Sequence, residues 1–177
     1  MQPVLSSVLL RGLGALAGDP EIASVVTDSR EAGPGSLFVC IRGERVDGHD
    51  YALRALEAGA AGVVVQRPVP GVPPEKCVQV PDALDAMIRL GANYRALYSP
   101  LLAGVTGSVG KTTTKEFCYA VFSAFGKTLK TQGNQNNEIG MPNTLFRLDK
   151  SVEYAVVEMG MSHAGEIERL SKCARPD

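Results

Sequence analysis

Residues 101–113 read LLAGVTGSVGKTT, a run that few folds accommodate. Leu101 to Val105 is an apolar strand and Thr106 to Gly110 a glycine-rich turn; Thr113 to Phe125, closed by Gly126, reads as an amphipathic helix. Such a turn between a buried strand and a helix aims several backbone N–H groups at one point, where the helix dipole also favours negative charge. Gly107 and Gly110 permit a backbone approach that a side chain would block. Lys111 is placed to reach the β- and γ-phosphates of a nucleotide, and the hydroxyl of Thr112 to ligate Mg²⁺. The expected cradle is therefore Gly107, Ser108, Val109, Gly110, Lys111, Thr112 and Thr113, and the expected ligand ATP with Mg²⁺. The strict Walker A pattern asks for glycine at position 105, where this chain has Val105 with Gly104 one place early. The shorter T-G-x-x-G-K-T-T form carries the inference.

The rest of the chain alternates strand-like and helix-like segments, as an α/β protein does. Ser6 to Leu16 reads as an opening helix, Ser24 to Thr27 as a short strand, and Ser36 to Ile41 as a buried strand after the turn Gly33-Pro34-Gly35. His49 to Ala58 reads as a helix ended by Gly59, and Gly62 to Gln66 as a buried strand. Four prolines between Arg67 and Lys76 require an extended loop. Cys77 to Val80 is a strand, and Asp82 caps a helix that stops near Tyr98-Ser99-Pro100. A domain boundary is expected there, giving domains 1–98 and 99–177. Thr128 to Thr131 and Glu153 to Gly160 are further strands, and Ala164 to Ala174 a final helix.

Residues 133–143, GNQNNEIGMPN, read as a loop. A polar surface turn and an amide lining for a phosphate site fit that composition equally, the latter using Asn134, Asn136 and Asn137. Glu158 ends a strand of what should be a parallel sheet, where ligands of open α/β sheets bind, and is a candidate Mg²⁺ ligand. His163 follows five residues later and is either a second metal contact or an ordinary residue at a helix start.

Eighteen basic against nineteen acidic residues make no basic patch, which argues against nucleic acid as a partner. The four cysteines form no C-x-x-C pair and read as buried thiols of a reducing compartment. The apolar stretch Val8 to Ala17 is too short and too interrupted for a signal peptide or a membrane span, so a cytoplasmic protein without membrane insertion is expected.

The segments TGSVGKTTTKE, GNQNNEIGMPNTL and EYAVVEMGMSHAGEIERL, in this order and spacing, resemble the central ATPase domain of the Mur ligases. VTDSR at 26–30 and GPGSLFVCIRGERVDGHDY at 33–51 resemble that family's N-terminal domain, which binds the UDP-sugar end of the substrate. The N-N-E-I-G-x-P and E-M-G-x-x-H-x-G-E-I runs are most similar to the branch that adds D-alanyl-D-alanine to a UDP-N-acetylmuramoyl tripeptide in peptidoglycan precursor synthesis. The fold the resemblance implies is α/β: a small N-terminal α/β substrate domain, then an incomplete P-loop ATPase-type parallel sheet. The activity it implies is ATP-dependent amide bond formation through an acyl phosphate.

By the same resemblance Lys111 neutralises the transferring phosphate, and Thr112, Glu158 and His163 contact metal. Asn136 or Asn137 places an amide near the γ-phosphate, and Lys111, Asn137, Glu158 and His163 form the catalytic set. Asp28-Ser29-Arg30 and Asp47-Gly48-His49 correspond to the uridine and diphosphate contact loops, and Asn134 and Asn136 to further substrate contacts. The family spans three domains, whereas this sequence stops at Arg175-Pro176-Asp177. The expectation is a fragment or truncated gene product, inactive as a ligase alone and monomeric when complete. Other readings are a non-catalytic UDP-sugar-binding module, the ligase adding the third stem-peptide residue, and a folylpolyglutamate synthase. The last has no use for the TDSR and GERVDGHD segments.

Overall fold

Four short strands without a charged residue among them, β3 (Ser24–Val26), β4 (Ser36–Val39), β5 (Gly62–Val65) and β6 (Cys77–Gln79), pair side by side in a parallel sheet of order β3-β4-β5-β6. The computed structural model describes residues 1–177, and the chain folds as two compact units, Met1–Arg89 and Leu90–Asp177.

In the first unit β4 and β5 are buried along their whole length, which explains why SLFV and GVVV show no polar alternation. Phe38, Val63 and Val65 pack with Ala52 and Ala55 of α2 (Ala52–Glu57). A fully buried valine or phenylalanine contributes about 1.5–3 kcal/mol, so this cluster accounts for much of the unit's stability. Three features differ from the sequence expectation. The opening helix α1 is a single turn, Ser6–Leu9, because Gly12 turns the chain at a φ of 76°. Its first turn is held by Asp19, whose carboxylate accepts from the Ser7 N–H at 2.6 Å and the Ser6 hydroxyl at 2.9 Å. The flanking residues form a two-stranded antiparallel sheet, β1 (Val4–Leu5) with β2 (Glu21–Ile22), that the sequence did not signal. The helix expected from His49 begins as a 3-10 turn over Gly48–Tyr51.

The helix α3 (Ala83–Arg95) starts at Asp82, whose carboxylate accepts from the Asp85 N–H at 2.8 Å. The division between units lies inside α3, not at residue 98. Its last turns belong to the second unit through Tyr94, whose hydroxyl donates to the Leu148 carbonyl at 3.0 Å, and Arg95, which donates to the Ala174 carbonyl at 3.1 Å.

The second unit holds a parallel sheet of order β7-β9-β8, made of β7 (Leu101–Val105), β9 (Tyr154–Glu158) and β8 (Thr128–Lys130). β9 is central, and its register sets Val105 beside Glu158, so the glycine-rich turn and the glutamate leave the sheet at the same level. Between β7 and β8 runs α4 (Lys111–Ser123), which begins two residues before the predicted start. Its apolar Phe117 and Val121 are exposed, as is Phe125 just past its end, and the residue it buries is Lys115. On the outer side of β7, the Asp177 N–H donates to the Leu102 carbonyl at 3.0 Å.

Residues 140–145, read as loop, form α5 (Gly140–Leu145). Asn137 starts it: its side-chain oxygen accepts from the Ile139 and Gly140 N–H groups at 3.2 and 2.8 Å, and Pro142 lacks an N–H that the first turn leaves unpaired anyway. The last helix, α6, covers Glu166–Ala174; Glu166 holds its entry by accepting from the N–H groups of Ser162 and His163. No helix is long and apolar enough to cross a membrane. All four cysteines are free, and burial pushes the Cys40 and Cys173 thiols up to about 12.

Candidate functional site

In the second unit, β7 delivers the chain into the turn Thr106–Gly110, and Gly110 caps α4 with a left-handed φ of 77°. No heavy atom lies within 4 Å of where a Cβ on Gly110 would stand, so its backbone is open to a ligand. The turn and the amide loop line an open cavity of about 620 Å³. Its lining comprises Ser108, Val109, Gly110, Lys111, Thr112 and Thr113 from the turn and α4, Asn134, Asn136 and Asn137 from the loop, and Glu158 from β9.

Glu158 organises this cavity. It is 3% exposed, and its Oε2 accepts from the Thr112 hydroxyl at 3.1 Å while its Oε1 accepts from the Asn136 amide at 3.0 Å. Its backbone N–H donates to the Thr131 hydroxyl at 2.9 Å, which fixes the strand end itself. Asn136 is held from the other side, where its carbonyl accepts from the Gly160 N–H at 2.8 Å. A Cβ on Gly160 would press on the Asn136 amide at 3.1 Å, so the glycine of E-M-G seats the asparagine. Asn137 spends its carbonyl on capping α5 and leaves its NH₂ to the cavity. Glu138 pairs with Arg169 of α6, tying the same loop to that helix.

Lys111 folds back, its ammonium donating to the Gly107 carbonyl at 2.8 Å. That contact is within the turn and exposed, and an arriving phosphate oxygen can replace it.

Two further residues stand differently toward this cavity. His163 is exposed on the segment between β9 and α6, outside the cavity lining, and no group of three His, Cys, Asp or Glu side chains stands close enough to hold a metal ion. The second is Lys115, which no local pattern in TTTKE marks. It is buried, with its ammonium 3.5 Å from Glu158 Oε2 and 3.4 Å from Glu116 Oε1. Glu116 in turn is ion-paired to Lys130, which holds its carboxyl below the usual range.

The cavity suits a metal-bound nucleotide. Thr112 and Glu158 offer oxygen donors 3.1 Å apart, the chemistry a hard divalent cation prefers, and such a cation commonly takes its remaining ligands from phosphate and water.

In the first unit Asp28 caps the 3-10 turn Ser29–Glu31. Its carboxylate accepts from the Arg30 backbone at 2.9 Å and from the Arg30 guanidinium, which lowers its pKa from 3.8 to about 2. The Arg30 side chain is 80% exposed and available to a ligand. Asp47-Gly48-His49 is arranged differently from the expected row of contacts. A Cβ on Gly48 would stand 2.8 Å from the Ile41 carbonyl, so glycine is required by close backbone packing. His49 is 3% exposed with both ring nitrogens engaged: Nδ1 lies 2.6 Å from Asp47 Oδ1, and Nε2 accepts from the Gln66 N–H at 2.9 Å. The backbone donor at Nε2 fixes the Nδ1–H tautomer, so the ring is a strut inside the loop and not a free contact. Hydrogen bonds from the His49 backbone and then its ring lower the Asp47 pKa, and Arg67, half-exposed, donates to Asp47 at 3.2 Å. Arg67 was missed because it falls in the proline-rich stretch.

Residues 105–177 match the family model described as the Mur ligase middle domain, and residues 21–95 the one described as the Mur ligase family, catalytic domain. A UDP-N-acetylmuramoyl-tripeptide–D-alanyl-D-alanine ligase of Synechocystis is 45% identical over 163 residues, covering 91% of this chain and 36% of that protein. The solved structure of a UDP-N-acetylmuramoylalanyl-D-glutamyl-2,6-diaminopimelate–D-alanyl-D-alanyl ligase from Acinetobacter baumannii superposes with a TM-score of 0.87 at 35% identity, covering 98% of this chain and 40% of that one. A MurF ligase from Thermotoga maritima, solved in complex with ADP, superposes with a TM-score of 0.79 at 36% identity, covering 86% of this chain and 35% of that one. The chain thus spans just over a third of the length of the curated relatives it matches.

Proposed function

The chain belongs to the Mur ligase family, and from that membership we propose that it carries the nucleotide cradle and the UDP-sugar-binding part of a ligase. This ligase joins D-alanyl-D-alanine to UDP-N-acetylmuramoyl tripeptide in peptidoglycan precursor synthesis. The observation that supports it most is the meeting of Thr112, Asn136 and Glu158 at the mouth of the glycine turn, held there by the pairing of Val105 with Glu158.

In this reading the N–H groups of residues 107–110 and the dipole of α4 receive the phosphates of ATP. Lys111 exchanges the Gly107 carbonyl for a phosphate oxygen and balances the charge that builds during transfer. Thr112 and Glu158 would hold Mg²⁺, which screens the phosphate charge when bound; His163, exposed and outside the cavity, would join them only after its segment moves. The Asn136 amide is spent on Glu158, so the NH₂ of Asn137 is the better placed of the two for the γ-phosphate. Asn134 lines the same cavity and would face the substrate.

The γ-phosphoryl group passes to the terminal carboxylate of the tripeptide, giving an acyl phosphate. The amine of D-alanyl-D-alanine then attacks its carbonyl carbon, and phosphate leaves. The protein's share is positioning and charge neutralisation. In the first unit, Asp28, Ser29 and Arg30 would take the uridine, and Asp47 with Arg67 the diphosphate side, while Gly48 and His49 shape that loop from within.

Equilibrium binding of UDP-N-acetylmuramoyl tripeptide tests the substrate half of this reading. The wild-type chain should bind it, and Arg30→Ala and Arg67→Ala should each weaken binding. A chain with no affinity for the UDP-sugar would contradict the assignment of the first unit.

A further inference from the structure

α4 turns its apolar Phe117 and Val121 outward and buries a lysine. Stability does not explain that choice: a buried ion pair is commonly no better than well-packed apolar side chains of the same volume. Apolar side chains are at hand in this helix and are placed elsewhere. The Lys115 ammonium instead faces the Glu158 oxygen that accepts from Thr112, at 3.5 Å. Glu158 is thus held at three points, by Thr112 and Lys115 on Oε2 and by Asn136 on Oε1. Lys115 also has a second carboxylate, Glu116, at 3.4 Å, so its own charge stays balanced when Glu158 shares charge with another cation.

We propose that Lys115 is a positioning residue for the metal-bound nucleotide. It holds the Glu158 carboxylate in the orientation from which it serves Mg²⁺, acting through Glu158 and not on the phosphates. This rests on the nucleotide-binding reading above and adds to it a residue outside the glycine turn. Partners that orient a metal ligand commonly contribute about 10- to 100-fold in metal affinity, although they touch no metal.

The test is calorimetric titration of the whole chain with ATP, once in excess Mg²⁺ and once in EDTA, for wild type, Lys115→Met, Lys115→Arg and Glu158→Gln. Wild type should bind ATP more tightly with Mg²⁺. Lys115→Met should keep the wild-type affinity in EDTA within about twofold and lose about tenfold or more of the gain that Mg²⁺ brings. Glu158→Gln should lose that gain as well, and Lys115→Arg should retain most of it. Should Lys115→Met fail to fold by circular dichroism, Lys115→Gln against Lys115→Arg makes the same comparison. Equal losses in Mg²⁺ and EDTA would show a merely structural lysine and overturn the proposal. A Mg²⁺ gain in Lys115→Met equal to or above wild type would overturn it too, the latter by showing that the lysine competes with the metal. A wild-type chain that binds ATP without any gain from Mg²⁺ removes the proposal but leaves nucleotide binding standing. A wild-type chain that binds no ATP removes both.

Discussion

Replacing His49 by alanine separates a strut from a ligand contact. The ring is 3% exposed and ties two elements together, Asp47 at 2.6 Å through Nδ1 and the Gln66 N–H at 2.9 Å through Nε2. Truncation leaves the Gln66 N–H without its acceptor, which costs about 1–3 kcal/mol for a buried donor. Asp47 suffers less, because it is 23% exposed and keeps the His49 N–H and Arg67 as donors. Loss of the ring's packing adds roughly 1 kcal/mol after partial collapse of the site. The sum is a destabilisation of about 2–4 kcal/mol, confined to the first unit. Urea unfolding followed by circular dichroism should show the first unit unfolding at lower denaturant while the second is unchanged. Native-state hydrogen exchange should show the Gln66 amide losing protection. A change below about 0.5 kcal/mol, together with lost affinity for uridine diphosphate, would refute the strut and restore His49 as a direct contact.

The acid side of the stability curve should respond to Asp28. Its folded pKa is lowered from 3.8 to about 2, so its contribution is present above pH 4 and lost as pH falls toward 2; Asp28→Asn should flatten that part of a pH titration of unfolding. Gly110→Ala should cost about 1–2 kcal/mol, because the left-handed φ of 77° is strained for alanine although no atom is near the new methyl. A thermal melt of the second unit should drop by roughly 4–8 °C per kcal/mol, and an unchanged melt would contradict the strain argument. Gly48→Ala should cost about 1–3 kcal/mol in the first unit through collision with the Ile41 backbone, read by the same urea unfolding.

What could be read from the sequence was whatever local chemistry decides. LLAGV followed by TGSVGKTT gave strand, turn and helix because each residue's preference agrees with its neighbours'. SLFV and GVVV were recognisable as buried strands for the same reason. The errors lie where tertiary contacts override that chemistry. α5 was hidden because Gly140, Pro142 and Asn143 are poor helix formers, and it forms because Asn137 caps it and Met141 and Leu145 are buried. Nothing in TTTKE marks Lys115 as buried, because it is the placement of β9 beside α4 that brings Glu158 to it. His49 and His163 both read as residues at a helix start. One is buried and held by Asp47 and the Gln66 N–H, the other is exposed, and neither state is encoded in the residues adjacent in sequence.

Titration of the chain with ATP and Mg²⁺ beside Lys111→Ala tests the nucleotide cradle most directly. The predicted result is one saturable site per chain, with affinity lower by about tenfold or more in the variant, since a charge-assisted hydrogen bond of about 1.5–3 kcal/mol is lost. A wild-type chain giving no saturable heat, or a variant binding as tightly as wild type, would contradict it.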